Sequence, residues 1–181
     1  MKTVVQFDRA PGPLGVMLLV AIDDALTGVY FDGQRYQPAV GADWQVCTNH
    51  PVLRAAREQL AEYFAGVRVG FDLPLVPAGT PFQRAVWAAI GTVHFGATIA
   101  YRDLAARAGR PGSVRAAGTA TGRNPLSIVV PCHRIVGADG ALTGYAGGLD
   151  RKRALLALEA RRSPVARAPD TSRRFEAASV T

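Results

Sequence analysis

The chain holds two cysteines, and one of them, Cys132, stands between Pro131 and His133 in the stretch NPLSIVVPCHRIVG, residues 124–137. The apolar run 128–130 just before it would bury a thiol as a small hydrophobe. A thiol beside a base is instead a nucleophile, because the thiolate is the reactive form and an imidazole can take its proton. Apolar burial raises a thiol's pKa, so Cys132 needs a base or a positive neighbour, and His133 and Arg134 follow at once. Side chains adjacent in sequence usually diverge, so a Cys132–His133 link calls for a bend at Pro131 or a bridging water. His133 would in turn need an acceptor to orient it. Residues 80–162 offer Asp103, Asp139, Asp150 and Glu159, the last directly after the apolar run ALLAL.

Positioning such a set falls to the elements around it. TVVQFDRAPGPLGVMLLVAIDDALTGVYFDG alternates short apolar runs with Pro, Gly and Asp, the pattern of hairpin strands. In HPVLRAAREQLAEYFAG, Val52, Leu53, Ala56, Leu60 and Phe64 recur at helical spacing and Gly66 supplies a stop. VRVGFDLPLVPAG then reads as extended chain and linker. An α/β domain, a small antiparallel sheet plus helices, is expected over residues 1–77. A mainly α domain is expected over 78–162, with a Cys-bearing active-site loop. Thr80-Pro81-Phe82-Gln83 carries a capping box and a first-turn proline, Phe82, Val86 and Ile90 share a face, and Gly91 can end the helix. TIAYRDLAARAG starts another helix with Tyr101, Leu104 and Ala105 in register. Gly109-Arg110-Pro111-Gly112 breaks it, and SVRAAGTATG restarts it with Ser113 as cap. Helix, short break, helix over about residues 100–122 is the helix-turn-helix pattern. In its second helix Ala116, Ala117, Gly118 and Ala120 surround a single Arg115, and small side chains let a helix approach a surface closely. GYAGGLDRKRALLALEARR supplies a Gly-rich loop and a final helix with Asp150 as cap. Residues 163–181 lack periodicity and read as a disordered tail.

With 181 residues, 49% hydrophobic and 19% charged, the composition suits a soluble globular protein of one large domain or two small ones. No apolar run reaches membrane-spanning length, and MKTVVQFDRAPG lacks the apolar region of a secretory signal. A cytoplasmic location without a membrane partner is expected. Two cysteines cannot build a disulfide framework. The formal charge of +7 is uneven, with −2 over residues 1–79, +8 over 80–162 and +1 beyond. The basic segment is the one that holds Cys132. It suits a polyanion partner, since each neutralised phosphate releases counterions; a solvated arginine-rich surface accounts for the charge equally well.

PCHR, preceded by NPLSIVV and followed by IVGADGALTGYAGGLDRKRALLALE, resembles the active-site region of the O6-alkylguanine-DNA alkyltransferases, the methylated-DNA–protein-cysteine methyltransferases. The upstream stretch AGTPFQRAVWAAIGTVHFGATIAYRDLA is similar to that family as well, so the likeness spans about residues 60–160. The ordered set Tyr101, Arg115, Asn124, Pro131-Cys132-His133-Arg134, Tyr145, Gly147-Gly148 and Glu159 makes it specific. The resemblance implies a suicide repair reaction on duplex DNA carrying O6-alkylguanine, with O4-alkylthymine as a second candidate. The damaged base is rotated out of the stack, as chemistry on a buried base requires, and the alkyl group passes in line to sulfur, once per molecule. By this resemblance Cys132 is the acceptor, His133 takes its proton through a water, and Glu159 orients His133. Tyr101 donates towards guanine N3. Arg115 fills the gap left by the base, on a helix whose Ala116 and Ala117 allow close approach to the groove. Asn124 ties that helix to the active-site loop. The loop around Tyr145 and Ala146 lines the alkyl pocket. The carbonyls of Cys132 and Ile135 meet the guanine amine, the Ala146 N–H meets O6, and Arg134 falls among the substrate- and DNA-binding residues.

No cofactor is implied. Some family members carry a structural zinc in the N-terminal domain, but here that domain offers only Cys47 and His50, where such a site wants four ligands. No metal is expected, and Cys47 reads as a buried small residue. Ser127 stands where some members have proline, which bears on the width of the alkyl pocket. A monomer is expected for the free protein, with cooperativity on DNA left open. Three rivals remain: a non-catalytic lesion binder, which would lack the cysteine; an unrelated Cys–His hydrolase, which gives no reason for the basic segment; and a plain DNA-binding module, which leaves VVPCHRIVG unexplained.

Overall fold

In a computed structural model, which describes residues 4–162, the alternating runs of the N-terminal half pair as strands β1 (Val5–Ala10), β2 (Met17–Ile22) and β3 (Ala25–Phe31). Both hairpin pairings are antiparallel. A two-residue strand, β4 (Gln45–Val46), adds to β1 in parallel, giving the order β3-β2-β1-β4. The sheet is therefore mixed, not the antiparallel sheet expected. Two residues are too few for periodicity to announce a strand.

Helix α1 (Pro51–Ala65) covers one face of the sheet and ends at Gly66, whose φ of 89° is a left-handed cap that glycine adopts without strain. Its buried positions are Val52, Leu53, Ala56, Leu60 and Tyr63, so Tyr63 takes the place expected for Phe64. On the opposite face of the sheet, Phe7, Leu18 and Val20 form a smaller apolar cluster with Trp44 and Tyr30.

Helix α2 (Pro81–Gly91) opens with the full capping box. The Thr80 hydroxyl accepts from the Gln83 N–H, and the Gln83 carboxamide accepts from the Thr80 N–H. A short strand β5 (Ile99–Ala100) leads straight into α3 (Tyr101–Arg107), and a turn connects α3 to α4 (Val114–Gly122). Ser113 precedes α4, but its hydroxyl makes no capping bond. Buried Trp87 donates its indole N–H to the Ala120 carbonyl at 2.8 Å, fixing α4 against α2. After a 3-10 turn (Cys132–Arg134), β6 (Ile135–Val136) pairs in parallel with β5. The last helix, α5 (Leu149–Ala160), starts from Gly148 rather than from the expected cap Asp150. Gly148 has φ 90° and ψ 146°, a conformation open to glycine, and Asp150 lies in the first turn paired with Arg153. The tail expected over 163–181 lies outside the described residues.

One apolar cluster runs through both halves, from Ala10 and Phe31 through Leu60, Trp87 and Ala117 to Leu155. Among the described residues no helix is long and apolar enough to cross a membrane. Since the Thr80 cap satisfies donors at the start of α2, Thr80→Ala is expected to cost about 1 kcal/mol. Urea unfolding should show a lower midpoint with an unchanged slope.

Candidate active site

The segment between α4 and β6 is shaped by its own polar groups. Asn124, buried just past α4, accepts the Leu126 N–H on Oδ1 at 3.0 Å and donates from Nδ2 to the Val130 carbonyl at 2.8 Å. The same Nδ2 reaches the Cys132 sulfur at 3.1 Å. The backbone between these contacts docks on β3: the Val29 N–H donates to the Pro125 carbonyl and the Ser127 N–H to the Val29 carbonyl. Ile128 turns the chain with φ 71°, a left-handed conformation that a β-branched residue holds at a cost of about 1–3 kcal/mol. Pro131, at φ −80° and ψ 62°, makes the following bend, and the Cys132 N–H bonds back to the Val130 carbonyl.

The bend points Cys132 inward, leaving it 4% exposed. Burial pushes its thiol up. Opposing this are the Asn124 hydrogen bond, the charge of Lys152 and the backbone N–H groups of Cys132 and His133. The sulfur therefore rests as a thiol, in surroundings with a donor and a cation to receive a thiolate.

His133 is fully buried and its Nε2 meets Glu159 Oε1 at 2.8 Å. The carboxylate makes Nε2 the protonated nitrogen and leaves Nδ1 as an acceptor. Nδ1 is buried without a hydrogen-bond partner, and no hydrogen bond links it to the sulfur. Burial, more than any other influence, holds the His133 pKa below its ordinary value, so the ring is neutral at pH 7.

Glu159, 1% exposed, collects donors from three other segments. Its Oε1 accepts from the Tyr63 hydroxyl at 2.7 Å, and its Oε2 from the Gly96 N–H at 2.9 Å and Arg134 Nε at 3.0 Å. Arg134 Nη2 adds a bond to Oε1 at 2.9 Å, and its Nη1 donates to the Val93 carbonyl. Burial by itself would push the carboxyl up, but the bonds and charges of His133 and Arg134 outweigh it and hold Glu159 well below the usual carboxylate range. The His133 hydrogen bond leads these influences, and the Arg134 guanidinium supplies the charge that pairs with the carboxylate.

Beside this core lies a cavity of about 660 Å³, whose lining includes Tyr101, Arg115, Gly118, Tyr145 and Ala146. Tyr101 begins α3 directly after β5, and the β5–β6 pairing therefore sets it next to the Cys132 turn. Its hydroxyl donates to the Thr143 carbonyl at 3.2 Å, and burial raises its pKa. Arg115 and Ala116 are exposed on α4, and Arg115 has no ion-pair partner among the described residues. The Tyr145 hydroxyl is buried, with its pKa pushed well up by burial and by nearby Cys132.

Two residues expected at the DNA surface lie elsewhere. Ala117 is 0% exposed and packs into the core, because it occupies the inward face of α4. Arg134 is buried against Glu159, so its charge neutralises that carboxylate instead of a phosphate. The carbonyls of Cys132 and Ile135 already accept from the Ile135 N–H and Lys152 Nζ respectively, and each keeps one further lone pair. Cys47 is only partly buried, and His50 Nε2 bonds the Asp23 carbonyl.

Tyr63 and Lys152 are functional-site residues that the sequence reading passed over. Lys152 is fully buried, and its Nζ donates to the carbonyls of Ile135, Thr143 and Gly144, which ties the two loops flanking the site together. Burial lowers its pKa to about 8. The signal was present: Lys152, Leu155 and Glu159 follow i, i+3, i+7 spacing, which puts all three on one helical face.

Two family models match the chain. Residues 10–77 match the ribonuclease-like domain of 6-O-methylguanine DNA methyltransferase, and residues 81–161 match its DNA binding domain. A methylated-DNA–protein-cysteine methyltransferase of Mycolicibacterium paratuberculosis is 45% identical over 162 residues, which is 89% of this chain and 96% of that protein. The constitutive methylated-DNA–protein-cysteine methyltransferase of Bacillus subtilis is 41% identical over 156 residues, 83% and 92% of the two chains. The crystal structure of Mycobacterium tuberculosis O6-methylguanine methyltransferase is similar at a TM-score of 0.82 and 41% identity, covering 90% of this chain and 97% of that one. A crystal structure of Mycobacterium tuberculosis OGT in complex with DNA matches at a TM-score of 0.82 and 42% identity, over 88% and 95%.

Removing one partner of a buried ion pair strands the other charge, so Arg134→Ala is expected to lower the unfolding free energy by about 3–5 kcal/mol, measured by urea unfolding at pH 7. Both shifted groups bind fewer protons folded than unfolded. Wild-type stability should therefore fall as pH drops below about 6.5, through His133, and again below about 4.3, through Glu159. Arg134→Ala should blunt the second loss.

Proposed function

The chain belongs to the 6-O-methylguanine DNA methyltransferase family, and on that premise we propose direct-reversal DNA repair, with the alkyl group of an O6-alkylguanine passing irreversibly to Cys132. The ribonuclease-like N-terminal domain, divided from the rest near residue 77, supports the site. The helical C-terminal domain carries the chemistry and meets duplex DNA through the α3–turn–α4 unit. The free protein is a monomer in the cytoplasm, and its partner is duplex DNA.

The observation that carries the reading is the buried Cys132 thiol, bonded by Asn124 and followed by a neutral imidazole that Glu159 orients. A thiol held protonated is inert until a base takes its proton, and His133 Nδ1 is the acceptor left for that proton, reached through one water. The freed electron pair on sulfur attacks the alkyl carbon in line with the C–O6 bond. As the S–C bond forms, the C–O6 bond breaks, and its electrons pass into guanine. Tyr101, whose raised pKa keeps it protonated at pH 7, turns from Thr143 and donates to guanine N3, which relieves the charge on the leaving base. The products are an S-alkylcysteine and guanine, which takes up one proton in balance with the one that Cys132 gave to His133. Water does not cleave an alkyl thioether at neutral pH, so each molecule acts once.

Base extrusion is assigned to Arg115, the exposed cation on the rim of the cavity. Exposed Ala116 brings α4 close to the groove while the long side chain enters the stack. Tyr145 and Ala146 form the wall that receives the alkyl group.

Intact-protein mass spectrometry after mixing with a duplex carrying one O6-methylguanine should show one methyl replacing one hydrogen, mapped to the Cys132 peptide and saturating at one per protein. An unchanged mass from folded, reduced protein would leave a lesion-binding module as the better account. Cys132→Ser should abolish transfer and retain duplex binding. Tyr101→Phe should slow single-turnover transfer by about 10²-fold or more. Because His133 stays neutral below its ordinary value, the wild-type rate should hold as pH is lowered from 7.5 to 6.5.

A further inference from the structure

The rim of the cavity is not built from the C-terminal half alone. Arg35 and Tyr36, from the loop after β3, line it beside Arg115 and Tyr101. The guanidinium of Arg35 lies over the Tyr36 ring at 4.8 Å from its centroid, and that of Arg123, at the end of α4, at 5.0 Å. All three residues are exposed, Tyr36 at 46%. Two cations gathered on one ring repel each other, and among the described residues neither has a carboxylate within ion-pair distance.

The loop that presents them is fixed. The Arg35 N–H donates to the Ala146 carbonyl at 3.0 Å. Buried Gln34 accepts from the Phe31 N–H at 2.8 Å and from the Ser127 hydroxyl at 3.0 Å. Tyr36 itself has φ 65°, which a bulky residue adopts only where its surroundings demand it. The N-terminal half is net negative, so bulk charge would keep it from DNA; any grip it has on a polyanion must come from a local arrangement such as this one.

We propose that Arg35 and Arg123, held over Tyr36, form a phosphate clamp that takes the backbone of the strand carrying the extruded nucleotide. The planar guanidinium fork suits phosphate oxygens, and a phosphodiester supplies the anion that the pair lacks. The clamp makes the N-terminal half a part of the DNA interface and holds the turned-out nucleotide at the cavity mouth. It rests on the reading of the site given above.

The test compares the full-length protein with an Arg35→Ala/Arg123→Ala variant on a duplex carrying one O6-methylguanine, following duplex affinity from 50 to 200 mM salt and single-turnover transfer. Each lost phosphate contact removes about 0.9 from the slope of log affinity against log salt, so a decrease of about 1–2 is expected. Transfer from the duplex at subsaturating protein should fall at least tenfold more than transfer from free O6-methylguanine base. The Arg35→Lys/Arg123→Lys variant should recover most of the salt slope. An unchanged slope overturns the clamp, and so does an equal loss on duplex and free base, which would make the loop a support of the cavity. If the wild type itself shows neither salt-dependent duplex binding nor transfer, the repair reading falls together with the clamp. Wild-type binding and transfer with an unaffected double variant would sink the clamp alone.

Discussion

Glu159 accepts hydrogen bonds from α1 through Tyr63, from the loop after α2 through Gly96, and from the cysteine turn through His133 and Arg134. Desolvating a carboxylate costs several kcal/mol, and attraction inside the protein offsets this only when the lone pairs are well used. Here both oxygens are fully engaged and Arg134 supplies the compensating charge. The same bonds that make burial tolerable set the His133 tautomer, the position of the turn and the distance between the halves. The cluster therefore contributes more to uniqueness than to bulk stability. Replacing Glu159 and Arg134 together by apolar side chains of similar volume would strand no charge, but it would leave His133 without its orienting acceptor.

The stretch between α4 and β6 complements that anchor. Asn124 bonds the chain at both sides of the Ile128 bend and ends on the sulfur, so the strained backbone and the position of the thiol are set by one side chain. Docking on Val29 of β3 makes the sheet a backing for this loop. Lys152 holds the opposite wall by binding carbonyls on both flanking loops. The cavity lies where these supports leave room, and both halves contribute to its rim.

Much of this was legible in the sequence where local chemistry decides. The capping box of α2, the Gly66 stop and the break between α3 and α4 follow from the residues present at each spot. The Cys132–His133–Glu159 relation was readable through the family resemblance, since the residues alone left four acids open as the partner of His133. What was missed depended on which way a helix faces. Tyr63 and Phe64 differ by one position, and only packing against Glu159 decides which is buried. Ala117 belongs to a helix whose small residues occur on both faces, so composition does not separate core from surface. The pairing of Arg134 with Glu159 was not legible, because the two lie 25 residues apart in sequence. The parallel pairing of β4 and the register that brings Gln34 to Ser127 are long-range contacts with no local signature.

The resting state of Cys132 has a chemical consequence of its own. Peroxides and disulfides react with thiolates, and exposure sets how fast. A sulfur that is almost wholly enclosed and kept protonated by its surroundings is slow to enter the oxidation ladder that ends in sulfinic and sulfonic acids. Under the proposed single-use reaction, redox inertness at rest keeps the acceptor in reserve until a substrate, by entering the pocket, meets a sulfur that the bulk solvent does not.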